Sequence, residues 1–79
     1  MSNKDKILDI ISNLDEEIIN YDGDNLYDAG IIDSMMVIDI VTEIEDQFDI
    51  EIDAELVVAE NFANLETILN FVLPLIEEA

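Results

Sequence analysis

The 79-residue sequence contains no cysteine and no histidine, and it has only two basic residues. Without cysteine, disulfide frameworks, thiolate zinc sites and cysteine nucleophiles are excluded. Without histidine, the usual general base is missing, so Ser-His and Cys-His catalysis are excluded as well. The scarcity of basic residues argues against nucleic-acid binding, because phosphate neutralisation requires cationic side chains. We therefore expect no catalytic residues, no dedicated metal site and no enzyme activity.

Acidic and apolar residues make up most of the sequence. The 21 acidic residues give a formal net charge of -19, yet 51% of the residues are hydrophobic. Disordered acidic tails lack this apolar content, so the chain is expected to fold. Its length suits one small core, and we predict a single domain over residues 1–79. The two basic residues, Lys4 and Lys6, both lie near the amino terminus.

The hydropathy pattern gives no sign of a membrane-spanning segment. The longest apolar runs contain four residues, as in 35–38, whereas a bilayer requires roughly 20. The first residues are polar, unlike a signal peptide, and an anionic membrane surface would repel the chain. We therefore predict a cytoplasmic monomer that does not insert into membranes.

Apolar spacing predicts an all-α fold, a small four-helix bundle with three longer helices and one short helix. Helical periodicity covers about Asn3 to Leu14, Ser34 to about Phe48, and about Leu65 to Leu73. Asp33 and Asn64 are suitable N-caps for the second and third of these segments. Pro74 is expected to end or kink the last helix, because it lacks an amide hydrogen.

Two connections separate the longer helices. Residues 15–33 contain both glycines and several turn-forming residues, which predicts a long loop pinned to the core by Leu26, Ile31 and Ile32. Ile50 and Ile52 follow the second helix as an apolar segment too short to build a sheet. Residues 53–63 indicate short helical turns, including the short helix. Four apolar side chains of this segment are expected to point inward: Leu56, Val57, Val58 and Phe62.

The predicted helix 34–48 has more apolar residues than one core-facing stripe requires. The core stripe consists of Val37, Ile40, Val41, Ile44 and Phe48. A second set, Met35 and Ile38, lies on a different side and continues through Thr42. These two apolar residues either touch the long loop or the next segment, or they form a partner-binding face ringed by carboxylates.

Ser34 stands where the long loop becomes this helix. A serine in a first turn is ordinarily a capping residue. Its hydroxyl is also expected to be exposed, and a phosphate attached there would meet free amide groups and the positive end of the helix dipole. Asp33 would repel such a group, so an attached phosphodiester is expected to point outward.

The sequence LYDAGIIDSM at residues 26–35 resembles the Asp-Ser motif of the acyl carrier protein family. Residues 41–52, VTEIEDQFDIEI, are similar to the acidic helix of that family that ends in Phe and continues as Ile-x-Ile. Residues 60–62 and the capped last helix resemble the family's third- and fourth-helix region. The resemblance covers essentially the whole chain. The residues at 29–34 and 36–37 look closer to stand-alone carriers, such as D-alanyl carriers or discrete polyketide and peptide-synthesis carriers.

This resemblance implies that Ser34 carries 4′-phosphopantetheine, attached from coenzyme A by a phosphopantetheinyl transferase. The terminal thiol would hold an acyl or aminoacyl group as a thioester, so the reactive group belongs to the cofactor. A loading ligase or transferase and a downstream synthase or transferase, each with a basic docking patch, would be the other partners. The residues that match the family's partner-binding face are Asp33, Met35, Ile38, Asp39, Thr42, Glu45 and Asp46.

Two other interpretations need no covalent modification. Asp22, Asp24 and Asn25 offer clustered oxygen ligands for weak calcium binding, but Leu26 stands where an EF-hand loop needs its third ligand. Alternatively, an acidic protein can mimic the anionic ligand of a basic partner. This second interpretation fits the charge but gives Ser34 and Met35 no role.

Overall fold

A computed structural model describes residues 2–78. Its helices are α1 (Asn3–Leu14), α2 (Glu16–Asn20), α3 (Ser34–Phe48) and α4 (Leu65–Glu78). Two 3₁₀ turns, Ala54–Leu56 and Ala59–Phe62, lie between α3 and α4. Residues 2–78 contain no strand, so the predicted all-α class with three longer helices and one short helix is confirmed.

The hydrophobic core lies where the apolar stripes of α1, α3 and α4 meet, and it includes residues of the connections. Four residues of the predicted α3 stripe are buried, and the fifth, Phe48, is half-buried. The buried set is Ile7, Ile10, Ile11, Ile18, Leu26, Ile32, Val37, Ile40, Val41, Ile44, Ile52, Phe62, Ile68 and Val72. Because each helix presents one apolar face, burial of these side chains drives the packing.

The short helix is not where the sequence placed it. Residues 15–33 were expected to form an irregular connection, but α2 occupies Glu16–Asn20 within it. The Asp15 side chain caps α2 by accepting a hydrogen bond from the amide of Glu17 at 2.9 Å, and Ile18 is completely buried. One turn of helix is too short to show a periodic signal in sequence, so tertiary burial of Ile18 stabilises it.

The last helix is longer than its sequence predicted. It was expected to end near Leu73, but α4 continues through Pro74 to Glu78. An internal proline removes one helical hydrogen bond at a cost of about 3 kcal/mol. Leu75 and Ile76 lie beyond it and pack against the core, and their burial offsets this cost. The predicted cap is confirmed, because Asn64 Oδ1 accepts from the amide of Thr67 at 2.9 Å.

The segment after α3 forms short helical turns as predicted, but only part of its apolar content points inward. Phe62 is buried and Val57 is half-buried, whereas Leu56 and Val58 are exposed, at 41% and 38%. The inward prediction for Leu56 and Val58 was therefore wrong. In a 3₁₀ turn, successive side chains point in different directions, so four nearly consecutive apolar residues cannot all face one core.

The connection before Ser34 is pinned as the sequence predicted. Leu26 and Ile32 are buried, and Ile31 is half-buried. The amide of Leu26 donates to the Ala63 carbonyl at 2.6 Å, which ties this loop to the segment before α4. Gly30 has a φ of 76°, in the left-handed region that a side chain disfavours. These contacts fix the position from which α3 begins.

Candidate functional site

Ser34 is the first residue of α3, and it is exposed. The N-cap is Asp33, whose Oδ1 accepts a hydrogen bond from the amide of Met36 at 3.0 Å. The expected capping of this helix is therefore carried out by the aspartate. As a result, the Ser34 hydroxyl is not required as the N-cap of α3 and stands at the surface where an enzyme can reach it.

A groove with a volume of about 530 Å³ begins at Ser34 and lies between α3 and the segment 52–59. Its lining residues are Tyr27, Ser34, Val37, Ile38, Val41, Thr42, Glu45, Ile52, Ala54, Val57 and Ala59. We call the side formed by α3 the helix wall and the side formed by residues 52–59 the turn wall. Ser34 and Glu45 are 11 positions apart, which corresponds to about 16 Å along an α-helix and nearly the same angular position. The groove therefore follows α3 for three turns from the serine.

Glu45 joins the two walls. Its backbone carbonyl accepts hydrogen bonds from the amides of Asp49 and Ile50, the latter at 3.2 Å, so it terminates α3. Its carboxylate Oε2 accepts from the amide of Ile52 at 2.8 Å. Asp49 takes the left-handed conformation, with a φ of 53°, that lets the chain reverse at this point. One residue of the helix wall thus holds the first residue of the turn wall.

Tyr27 also lines the groove, and sequence reasoning did not single it out as a site residue. Burial, with a smaller contribution from the charge of Asp33, raises the pKa of the Tyr27 phenol. The phenol therefore stays neutral, and able to donate a hydrogen bond, over a wider pH range. The sequence did contain a signal for Tyr27: it follows Leu26, which was expected to contact the core, and precedes the Asp-Ser pair by six residues.

The residues predicted to bind partners lie on two adjoining stripes of α3. Ile38, Thr42 and Glu45 line the groove with Ser34. Helical spacing places Met35, Asp39 and Asp46 on the neighbouring outer stripe, beside Thr42. Met35 and Ile38 are 73% and 57% exposed, so neither residue is packed into the core. Asp33, Asp39, Thr42 and Asp46 are exposed as well, whereas Glu45 is half-buried.

In the acidic loop at residues 22–25, which suggested calcium binding, Asn25 forms hydrogen bonds with the residues that flank the loop. Asn25 Oδ1 accepts from the amides of Tyr27 and Asp28 at 2.9 and 3.1 Å, so it forms an Asx turn. The Tyr21 hydroxyl donates to the Asn25 carbonyl at 2.9 Å. Among residues 2–78, no three carboxylates are grouped in a way that could hold a metal ion.

Comparison with known proteins identifies the family. The family model described as "Phosphopantetheine attachment site" matches residues 5–72. The chain belongs to this family. It is therefore a carrier protein, related to the acyl carrier proteins, and its cofactor is covalently attached phosphopantetheine. An acidic binding protein without covalent modification is not favoured.

Curated relatives include D-alanyl carrier proteins of streptococci. The protein of Streptococcus sanguinis (strain SK36) is 34% identical over 53 residues, which cover 66% of this chain and 67% of the relative. That of Streptococcus mutans serotype c (strain ATCC 700610 / UA159) is 36% identical over 53 residues, with the same coverage. No solved structure matches the chain.

Carrier proteins of this family are loaded by a transferase and interact with synthases or ligases. The family is generally non-catalytic, which agrees with a reactive group that resides on the cofactor. None of the helices described between residues 2 and 78 is long and apolar enough to cross a membrane.

Proposed function

We propose that Ser34 is the residue that carries 4′-phosphopantetheine and that the terminal thiol of this group holds an acyl or aminoacyl thioester. The observation that carries the proposal is the position of Ser34. It is an exposed hydroxyl at the start of α3, its capping role is taken by Asp33, and it opens onto an apolar groove. The other two serines, Ser2 and Ser12, both lie at α1, away from the groove.

The modification is a phosphoryl transfer catalysed by a separate enzyme. The Ser34 oxygen forms a bond to the phosphorus next to the pantetheine of coenzyme A, and the pyrophosphate bond to the nucleotide breaks. Adenosine 3′,5′-bisphosphate leaves, and the hydroxyl proton passes to a base on the transferase. The chain has no histidine, so Ser34 acts as the acceptor of the group and is not activated by the carrier itself.

The residues around Ser34 orient the attached group. The Asp33 carboxylate occupies the amide of Met36 and places a negative charge at the helix start. A phosphodiester on Ser34 is therefore repelled from the helix end and directed outward. The apolar side chains of the groove, among them Val41, Ile52 and Val57, can shield a short cargo from water. In this proposal the carrier presents the thioester and supplies no catalytic group. Catalysis belongs to the partner enzymes, so we predict that the chain is not itself an enzyme.

The partners are a phosphopantetheinyl transferase, a loading ligase or transferase, and a downstream synthase or transferase, each with a basic docking patch. Met35 and Ile38 supply exposed apolar contacts, and the surrounding polar residues Asp33, Asp39, Thr42, Glu45 and Asp46 complete the partner-binding face. With a net charge of -19, the chain attracts cationic surfaces over about a Debye length of 8 Å at physiological salt. Rim charges raise the association rate more than the affinity, so docking is fast and reversible.

A small aminoacyl group is the first cargo to test. The support comes from the relatives, which are named D-alanyl carrier proteins. We also propose that residues 1–79 form one monomeric carrier domain and that the protein acts in the cytoplasm.

Intact-mass measurement tests the assignment of Ser34. The protein is incubated with coenzyme A, magnesium and a broad-specificity phosphopantetheinyl transferase. Wild-type protein and the matched control Ser12→Ala should each gain the mass of one phosphopantetheine group, and Ser34→Ala should gain none. An adduct on Ser34→Ala would contradict the assignment. Holo protein incubated with D-alanine, ATP and a purified D-alanine–carrier ligase should then gain one alanyl group, and failure to load would count against the aminoacyl cargo.

A further inference from the structure

The groove that begins at Ser34 is lined mostly by apolar side chains. Among the described residues that line it, Glu45 is the one charged residue, and it lies at the far end of the groove from the serine. Its side chain is half-buried, so its charge is screened less than that of a fully exposed carboxylate. A negative charge at the end of an otherwise apolar groove favours a ligand that is positively charged at that point.

The Glu45 carboxylate is held in place and can still accept a further hydrogen bond. Its Oε2 accepts from the amide of Ile52 at 2.8 Å, which fixes the side chain. An ionised carboxylate has two oxygens and about four lone-pair sites, so one amide does not use up its capacity. The two lysines of the chain belong to α1, and the ammonium of Lys6 lies over the ring of Phe48, 6.0 Å from its centroid. A cationic donor for Glu45 would therefore come from a ligand.

The length of the groove matches the length of the group proposed for Ser34. Phosphopantetheine has about 13 bonds between its phosphorus and its sulfur, and an extended chain covers roughly 3.5 Å for every three bonds, so the arm spans about 15 Å. Ser34 and Glu45 are separated by about 16 Å along α3. Asp33 repels only the phosphodiester, so the rest of the arm is free to follow the groove. The thiol, and the group attached to it, can then reach the helical turn that contains Glu45.

We propose that Glu45 determines the class of cargo that the groove accepts, and that its carboxylate binds the ammonium group of an aminoacyl thioester. This inference rests on the proposed modification of Ser34 and extends the aminoacyl assignment to the residue that recognises the cargo. In an alanyl thioester, two carbon atoms separate the nitrogen from the sulfur, so an ammonium group stays close to the thiol. Glu45 is then a specificity-determining residue of the carrier itself.

The same carboxylate discriminates against a fatty acyl chain. An ammonium group forms a charge-assisted hydrogen bond with Glu45, which is stronger than a bond between neutral groups. The methylene groups of an unsubstituted acyl chain would remove water from the carboxylate and offer no donor in return, which is unfavourable. Glu45 therefore combines attraction for one class of cargo with a penalty for the other.

Titration of the cargo tests this contact. A coenzyme A analogue that carries isotope-labelled alanine, with a stable amide in place of the thioester, is transferred to the protein, and the nitrogen is titrated by NMR in the presence of EDTA. The pKa of the alanyl ammonium should be about one pH unit higher on wild-type protein than on Glu45→Gln, because an adjacent carboxylate stabilises the charged form. Glu45→Gln keeps an acceptor oxygen for the Ile52 amide. Equal pKa values on the two proteins would overturn the proposal.

Asp46→Asn is the matched control for the charge. Asp46 is the next residue of α3, it is exposed, and it does not line the groove. Its substitution removes the same charge as Glu45→Gln and should leave the pKa of the alanyl ammonium close to the wild-type value. A fall as large as that in Glu45→Gln would overturn the proposal, because the net charge of the chain would then account for the effect.

A second measurement uses only the wild-type chain. The transferase loads either the alanyl analogue or a propionyl analogue, which has hydrogen in place of the amino group. The Ile52 amide donates to Glu45, so its NMR signal reports on the carboxylate. This signal should differ between the two loaded proteins, and the difference should disappear above the pKa of the ammonium group. Identical Ile52 signals for both cargoes would overturn the proposal. Failure of the underlying function has a different signature, since intact mass would then show no transfer of either analogue to Ser34.

Discussion

The two walls of the groove are stabilised in different ways. The helix wall belongs to α3, whose 15 residues form their own hydrogen bonds and bury four side chains in the core. The turn wall contains one 3₁₀ turn, Ala54–Leu56, and ends where the second begins, at Ala59. It depends on a few side-chain hydrogen bonds, chiefly those made by Glu45, Asp53 and Asn61. The helix wall is therefore a rigid platform for Ser34, and the turn wall is the part that a local change can displace.

Removal of a buried side chain from α3 should have the largest effect, because it weakens the platform itself. Ile44 has no exposed surface, and Ile44→Ala should lower the free energy of unfolding by about 2–5 kcal/mol. Urea denaturation measures this loss. The matched control is Ile38→Ala on the exposed side of the same helix, and an equal loss in both variants would contradict the assignment of the two faces.

Loss of the hydrogen bond that joins the two walls should lower the free energy of unfolding by an intermediate amount. Glu45→Ala removes the acceptor for the Ile52 amide and should cost about 1–2 kcal/mol. Amide exchange at Ile52 should accelerate, while exchange in the middle of α3 changes less. Glu45→Gln keeps an acceptor oxygen and should restore most of the protection.

The neighbouring exposed residue Asp46 supplies the control for this comparison. Asp46→Ala removes a carboxylate from the same turn of α3 and should leave Ile52 exchange unchanged. If Glu45→Gln accelerates Ile52 exchange as much as Glu45→Ala does, the hydrogen bond is not what holds the turn wall.

Charge on the outer stripe of α3 should affect association more than stability. Asp39→Lys with Asp46→Lys should slow association with the transferase several-fold at low salt and reduce its salt dependence, because long-range attraction is lost. Stopped-flow association at two salt concentrations measures both quantities. A wild-type on-rate that does not change with salt would contradict electrostatic steering.

Substitution of Tyr27, which lines the groove, should have the smallest effect on stability. Burial and the charge of Asp33 raise its pKa above the usual value, which is about 10. The folded state therefore favours the neutral phenol, whose contribution to stability is complete below about pH 10 and is lost as the pH rises through the raised pKa. Tyr27→Phe should lose less stability than wild type as the pH rises above about 10. Equal losses in urea denaturation would show that Tyr27 does not contribute.

The contrast between the walls also explains what sequence could predict. α3 carries strong local signals, an Asp33 cap and an apolar stripe of period 3.6, so its bounds and its core-facing stripe were predicted correctly. The turn wall has no such period. Its conformation depends on two hydrogen bonds that a sequence does not show: the Ile52 amide donates to the Glu45 carboxylate, and the Asn61 side chain donates to the Leu56 carbonyl.

Tertiary burial accounts for the other differences. α2 forms around the buried Ile18, and α4 extends past Pro74 because Leu75 and Ile76 pack against the core. In both cases a weak or unfavourable local preference is outweighed by contacts between distant segments. For the site itself, sequence proposed Ser34 and the exposed residues of α3, but it did not single out Tyr27 and it placed Glu45 only on the partner-binding face.

The central claim is that Ser34 carries the phosphopantetheine group, and site localisation tests it most directly. The wild-type protein is modified with coenzyme A and a phosphopantetheinyl transferase, digested, and analysed by fragment-ion mass spectrometry. We predict that the whole phosphopantetheine mass is found on the peptide that contains Asp33-Ser34-Met35, at the serine. Modification at Ser2, Ser12 or a threonine with Ser34 unmodified would contradict the account.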